Sequence, residues 1–218
     1  MLEIPRMVII IIMFGIASYH DVRTREIPDY IWVLGGGAGA LLYLFDWNEV
    51  DFFVLFSIGI GCMIALLVWK LFPMGDADVL AILAVSIAYP VSFGAVMNPV
   101  VVFIGGLLLE HMAALFYNLR YNIEDLIYGR LYKGIRCTTI TKIMAFYSVH
   151  RRRKHERFTF CAECVDDGAR RISLRTPLPD SDYETRPDVF VTWAMPAFPF
   201  MTITFLLVVM VFVFTDFY

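Results

Sequence analysis

The chain alternates long apolar runs with short polar breaks, and the runs have membrane dimensions. Stretches at about 4 to 20, 30 to 45, 52 to 72, 77 to 96, 97 to 118 and 189 to 215 approach or exceed the roughly 17 to 25 residues that cross a bilayer as a helix. They predict an all-α polytopic membrane protein of about six spans. Pro90, Gly94 and Pro99 between the fourth and fifth runs predict a tight turn.

One long polar segment interrupts this order, at 119–188. Its first half, "YNIEDLIYGRLYKGIRCTTITKIMAFYSV", has helical spacing broken at Gly129 and Gly134. "RFTFCAECVDDGARRISL" reads as a hairpin turning at Asp167 and Gly168, and "LRTPLPDSDYETRPD" as a proline-punctuated loop. The expected organisation is a five-helix membrane region at 1–118, a small α+β insert at 119–188 and a sixth membrane helix at 189–218.

Composition agrees with a membrane solvent. Of 218 residues 59% are hydrophobic, above the roughly 45 to 50% of soluble domains. A cleaved signal peptide is the competing reading of the first run, but Arg23 and Arg25 follow it while only Arg6 precedes it, the reverse of a signal peptide's charge order. With six spans, every Lys and Arg except Arg6 falls on one side, which the positive-inside rule makes the cytoplasm. Both chain ends then face outward from the cell membrane.

Carboxylates at the edges of apolar runs are the candidate chemistry. In "LVWKLFPMGDADVLAILAV" Asp76 and Asp78 separate two greasy stretches, where burial of a charge at a helix centre costs roughly 2.5 to 3.5 kcal/mol. Asp21, in "SYHDVRTREIPDY", closes the first run at the same expected membrane level. Two carboxylates brought together share one proton, because like charges that close do not both ionise. The ionised member takes a proton from water and the protonated member donates to a scissile carbonyl, the chemistry of aspartic proteolysis. Gly75 gives the backbone beside Asp76 room for an extended substrate. The plainer reading makes Asp76 and Asp78 helix-start residues favoured by the dipole, and Asp21 a loop charge paired with Arg23 or Arg25. Asp78, two positions past Asp76, projects to another helix face and is a substrate-contact candidate.

At these residues the chain resembles the GxGD-type aspartyl proteases, specifically the archaeal prepilin and preflagellin peptidases of the type IV prepilin peptidase superfamily. "PMGD" keeps Gly75 and Asp76, with Pro73 in place of the motif's first glycine. Asp21, Arg23, Arg25, Ile27 and Pro28 match the family's first motif, and "WAMPAFPF", with Pro196 and Pro199, its proline-spaced final span. Asp78 stands where a lysine is often found. The resemblance implies a leader peptidase with Asp21 and Asp76 catalytic and Gly75, Pro28, Pro196 and Pro199 in support. Its substrates would be pilin-like precursors whose basic leader stays cytoplasmic ahead of a hydrophobic helix. Glu26, Asp29 and Asp78 would offer that leader a negative surface. The partners expected are such precursors and the lipid bilayer, with no nucleic acid and no cofactor. The cysteine-rich zinc domain of bacterial relatives has no counterpart in the short loop after the first run, so peptidase activity without methylation is expected.

Three features remain outside that scheme. Cys161 and Cys164 form a CxxC near Cys137, His150 and His155, but alternate faces of a strand separate the two thiols, so no metal is expected. "HRRRKHER" suits anionic lipid headgroups or plain solvation. Glu110 and His111 fall within the fifth run, where a polar contact across helices is the simpler role. The alternative function is an ion-coupled transporter using Asp21, Asp76 and Glu110; it predicts paired halves, which the chain does not display.

Overall fold

The computed structural model describes residues 3–45, 50–71, 76–92, 96–152, 156–166, 168–174 and 183–216. Their helices are α1 (Glu3–Arg23), α2 (Tyr30–Phe45), α3 (Phe52–Leu71), α4 (Asp76–Ala88), α5 (Asn98–Ile127), α6 (Thr139–Ser148) and α7 (Ala197–Asp216). The strands are β1 (Val91–Ser92), β2 (Val96–Met97), β3 (His150–Arg151), β4 (Thr159–Cys161), β5 (Glu163–Asp166), β6 (Ala169–Ile172) and β7 (Phe190–Trp193). The chain forms two compact units: Met1–Leu109 with Pro196–Tyr218, and Glu110–Met195.

The first unit is helical. In lipid, apolar side chains gain little by leaving one apolar phase for another, so helices associate through close packing of small residues. The sequence supplies these where α2 meets its neighbours. Gly35 lies against Met13 of α1, and Gly36 and Gly39 lie against Ala84 and Ala88 of α4, where a methyl group at Gly39 would overlap Ala88. Gly61 of α3 meets Ser86 in the same way, and the Ser57 hydroxyl donates to the Pro90 carbonyl at 2.6 Å. A buried aromatic chain fills the centre: Phe14 meets Trp32 edge-on at 6.4 Å and Phe205 at 5.9 Å, and Tyr89 also meets Phe205 edge-on at 5.9 Å. Arg6, a cation inside α1, has its guanidinium 3.6 Å from the centroid of Tyr43.

The six apolar runs each contain a helix, but the expectation of about six spans is not supported. Among the described residues three helices are long and apolar enough to cross a membrane: Glu3–Arg23, Phe52–Lys70 and Pro99–Ile127. They make this a membrane protein. Tyr30–Phe45 and Ala197–Val211 are shorter apolar helices. The fourth run fails as a span for a local reason: α4 stops at Ala88, ahead of Pro90, and the chain turns through the antiparallel pair β1–β2. The sixth run also starts late, because residues 190–193 are strand β7 and α7 begins only at Ala197.

The second unit joins the end of α5, α6 and the remaining strands. β7 sits between β3 and β4 in an antiparallel sheet, and β5 and β6 form the expected hairpin, with Asp166 opposite Ala169. Gly168 takes φ +71°, as that turn requires, while Asp167 lies outside the described residues. Gly129 and Gly134, at φ +65° and +78°, break the helical stretch where the sequence places the interruptions. A small core of Leu131, Ile135, Ala145, Val149, Ala162, Ile172 and Phe190 holds the unit together.

Candidate active site

Helix directions in the first unit decide which loop ends share a level. α1 and α2 run antiparallel, since Met13 meets Gly35 and Phe14 meets Trp32, so Asp21 is level with about Ile27. α2 and α4 run parallel, since Gly36 meets Ala84 and Gly39 meets Ala88, so Asp76 is level with about Pro28. α1 and α4 also pack directly on one another. Asp21 and Asp76, 55 residues apart in sequence, therefore occupy the same end of the unit.

Asp21 is buried, 8% exposed, and both carboxylate oxygens are engaged. Oδ2 accepts the backbone N–H of Phe198 at 3.0 Å, and Oδ1 accepts Nη1 of Arg25 at 3.3 Å. The first N–H groups of α7 have no intrahelical acceptor, so Asp21 supplies one and meets the positive end of that helix. Ser18, one turn earlier, bonds Thr202 hydroxyl to hydroxyl at 2.8 Å, continuing the polar seam between α1 and α7. Arg25 reaches back to Asp21 from just beyond α1, with φ +62°. That left-handed conformation costs a non-glycine residue roughly 1 to 2 kcal/mol.

Asp76 is the first residue of α4 and is exposed, with no hydrogen bond or ion pair among the described residues. Asp78, in the same first turn, is half-buried. Gly75, with Pro73, lies outside the described residues. Pro28 precedes α2 and its carbonyl accepts the Ile31 N–H. Asp29, exposed, stands at the α2 N-terminus, where its carbonyl accepts the N–H groups of Trp32 and Val33. Glu26 is exposed in the connecting loop.

The final prolines stand at a helix start, not within the proline-spaced span that the resemblance implies. Pro196 immediately precedes α7 and Pro199 is its third residue. In a first turn the proline nitrogen has no helical bond to lose, so these prolines start α7 rather than break it. Phe198 is the site residue that sequence reasoning did not single out; Pro196 as a helix-start marker was the available signal. Of the two partners the sequence offers Asp21, Arg25 is the one that pairs with it.

Among the described residues no three His, Cys, Asp or Glu side chains gather as a metal site. Cys161 ends β4 and Cys164 lies in β5, so the CxxC straddles two sheets rather than one strand. Burial pushes the Cys161 thiol up, further from the thiolate that binds metal. His150 is fully buried with both ring nitrogens engaged, Nδ1 by Asn118 at 2.8 Å and Nε2 by Glu156 at 3.1 Å. His155 lies outside the described residues. Within α5, Glu110 is half-buried and His111 exposed.

Residues 8–115, a little under half of the chain, match the type IV leader peptidase family. The matched stretch contains both Asp21 and Asp76. The match supports a leader peptidase function, implies a protease and points to pilin-like precursors as substrates. No curated protein matches the chain.

Proposed function

We propose, from the family match and the common level of Asp21 and Asp76, that this chain is a membrane aspartic endopeptidase of the archaeal GxGD type. It removes the short basic leader from prepilin- or preflagellin-like precursors. The observation that carries the reading is the helix register, which sets two carboxylates at one end of the first unit inside the matched stretch.

Asp21 and Asp76 hold one proton between them. Each stands at a helix N-terminus, Asp21 at that of α7 and Asp76 at that of α4, and both dipoles favour the single negative charge the pair retains. The ionised carboxylate takes a proton from water as its oxygen attacks the scissile carbonyl carbon, and the other donates its proton to the carbonyl oxygen. Collapse of the tetrahedral intermediate breaks the C–N bond: the carboxyl that took water's proton passes it to the leaving amine, and the other carboxylate takes a proton from the intermediate's hydroxyl, which restores the pair. Titration belongs to the pair rather than to either residue. The exposed carboxylates of Glu26 and Asp29, with Asp78, provide negative charge near this end for a Lys- or Arg-rich leader. The leader lies in the cytoplasm in this reading, so the site faces that side.

Co-expression with candidate precursors tests the proposal. Loss of the leader gives a mobility shift with the wild type and with Asp78→Asn, and none with Asp76→Asn. Cleavage by Asp76→Asn with an inactive Asp78→Asn would assign the chemistry to the wrong aspartate.

A further inference from the structure

Helix α6 presents its apolar side outward. Within Thr139–Ser148 the buried residue is Ala145, which joins Val149 in the core of the second unit. At 100° per residue, Ile140, Ile143, Met144 and Tyr147 fall on the opposite side as a stripe about 100° wide. They are 71%, 57%, 56% and 48% exposed. In water this helix would gain by turning half a revolution and burying four large side chains.

Specific bonds hold it the other way. Thr138 caps the first turn by accepting the Thr141 N–H, and the Tyr132 hydroxyl donates to the Lys142 carbonyl at 2.6 Å. At the far end Asn118 donates to the Tyr147 carbonyl at 3.0 Å, and Asn122 to the carbonyls of Phe146 and Val149 at 2.8 and 2.6 Å. Both asparagines are buried side chains of α5. They come about 20 residues after Pro99, the length that crosses a bilayer core of roughly 30 Å at 1.5 Å per residue. Their amides thus tie α6 to the part of α5 where a lipid-spanning stretch ends. The same part of α5 keeps Phe116, Ile123 and Ile127 exposed, a second outward apolar surface of this unit.

We infer that α6 lies in the membrane interface, with Ile140, Ile143, Met144 and Tyr147 in the boundary between lipid headgroups and acyl chains. The occupant of the stripe is lipid. This holds whether or not the chain is a peptidase, because it uses none of the residues of the proposed site.

The test uses the full chain reconstituted in phosphatidylcholine vesicles, with Cys62, Cys137, Cys161 and Cys164 replaced by serine. An environment-sensitive fluorophore is placed on Ile143→Cys or Tyr147→Cys in the stripe, and on Lys142→Cys away from it. Circular dichroism and a monodisperse elution profile establish folding for each variant. Spin-labelled lipid quenches the stripe positions at least twofold more than position 142, and aqueous iodide quenches them at least twofold less. Equal quenching of all three by iodide would overturn the inference. So would shielding of the stripe from both quenchers, or shielding that disappears on dilution into lipid, which would mark a second copy of the chain as the occupant.

Discussion

The backbone N–H of Phe198 lies 3.0 Å from Oδ2 of Asp21, a bond that spans 177 residues of sequence. It makes the start of α7 part of the Asp21 environment, and it replaces the bond that this N–H lacks within its own helix. The side chain of Phe198 adds a second anchor, its ring packed at 4.9 Å and a 36° tilt on Trp32 of α2. Three helices thereby fix one carboxylate.

Comparing a variant that lacks that N–H with one that keeps it measures its contribution, since both lose the ring on Trp32. Phe198→Pro remains compatible with a first helical turn, while Phe198→Leu keeps the N–H and most of the packing. A hydrogen bond to a charged group is worth about 1.5 to 3 kcal/mol, so Phe198→Pro lowers precursor cleavage by roughly ten- to hundredfold relative to Phe198→Leu. Equal rates in two folded variants would remove α7 from the catalytic account.

Arg25 offers a separate handle on the same carboxylate. Glycine adopts φ near +62° without steric cost, so Arg25→Gly keeps the turn and removes the guanidinium with its stem. Expected is a chain that folds with a lowered thermal midpoint, because breaking a buried ion pair outweighs the relief of left-handed strain. It cleaves about tenfold more slowly, the lower range for a charge-assisted hydrogen bond. Unchanged turnover would reduce Arg25 to a structural counter-ion.

Packing between α2 and α4 is tested by paired glycines. A methyl group at Gly39 meets Ala88, whereas at Gly37 nothing lies within 4 Å. Gly39→Ala therefore destabilises by roughly 1 to 3 kcal/mol through overpacking, and Gly37→Ala is neutral or slightly stabilising through helix propensity. Thermal unfolding in detergent, followed by circular dichroism, separates them. Similar midpoints would contradict the register that levels Asp76 with Pro28.

That register could not be read from the chain, although much else could. Apolar runs locate six of the helices because a lipid-facing helix needs no polar face. Gly129 and Gly134 mark the break between α5 and α6, and Gly168 the β5–β6 turn, because positive φ selects glycine. The early end of α4 was concealed, since "SIAYPVSF" remains apolar after Pro90 has stopped the helix. β7 was concealed for the same reason: "FVTW" is apolar enough to pass for the start of a span, and only its pairing with β3 and β4 makes it a strand. Asp76 stood out as a charge between apolar runs, and Asp21 as the carboxylate that closes the first run. The bond from Phe198 to Asp21 did not, because no local pattern encodes a contact between the first helix and the last.

In the second unit, Asn122 is fully buried and its amide serves two α6-end carbonyls. Asn122→Leu keeps the bulk and leaves both acceptors without that donor, at a cost of about 1 to 3 kcal/mol for each buried group. Limited proteolysis should then cut within 139–152 well before it cuts the wild type. Resistance equal to wild type would mean that α6 is held by its other contacts alone.

The central claim is that Asp21 and Asp76 act as one catalytic pair, and turnover by purified protein tests it most directly. Initial rates are measured on a precursor with a basic leader ahead of a hydrophobic helix, for wild type, Asp21→Asn, Asp76→Asn and the double variant. Asparagine keeps the shape and cannot cycle the proton, so each single variant falls by at least a thousandfold, about 4 kcal/mol of transition-state stabilisation, and the double variant falls no further. All elute as the wild type does. Substantial cleavage by either single variant, or losses that multiply in the double one, would contradict a shared proton and with it the assignment of this site.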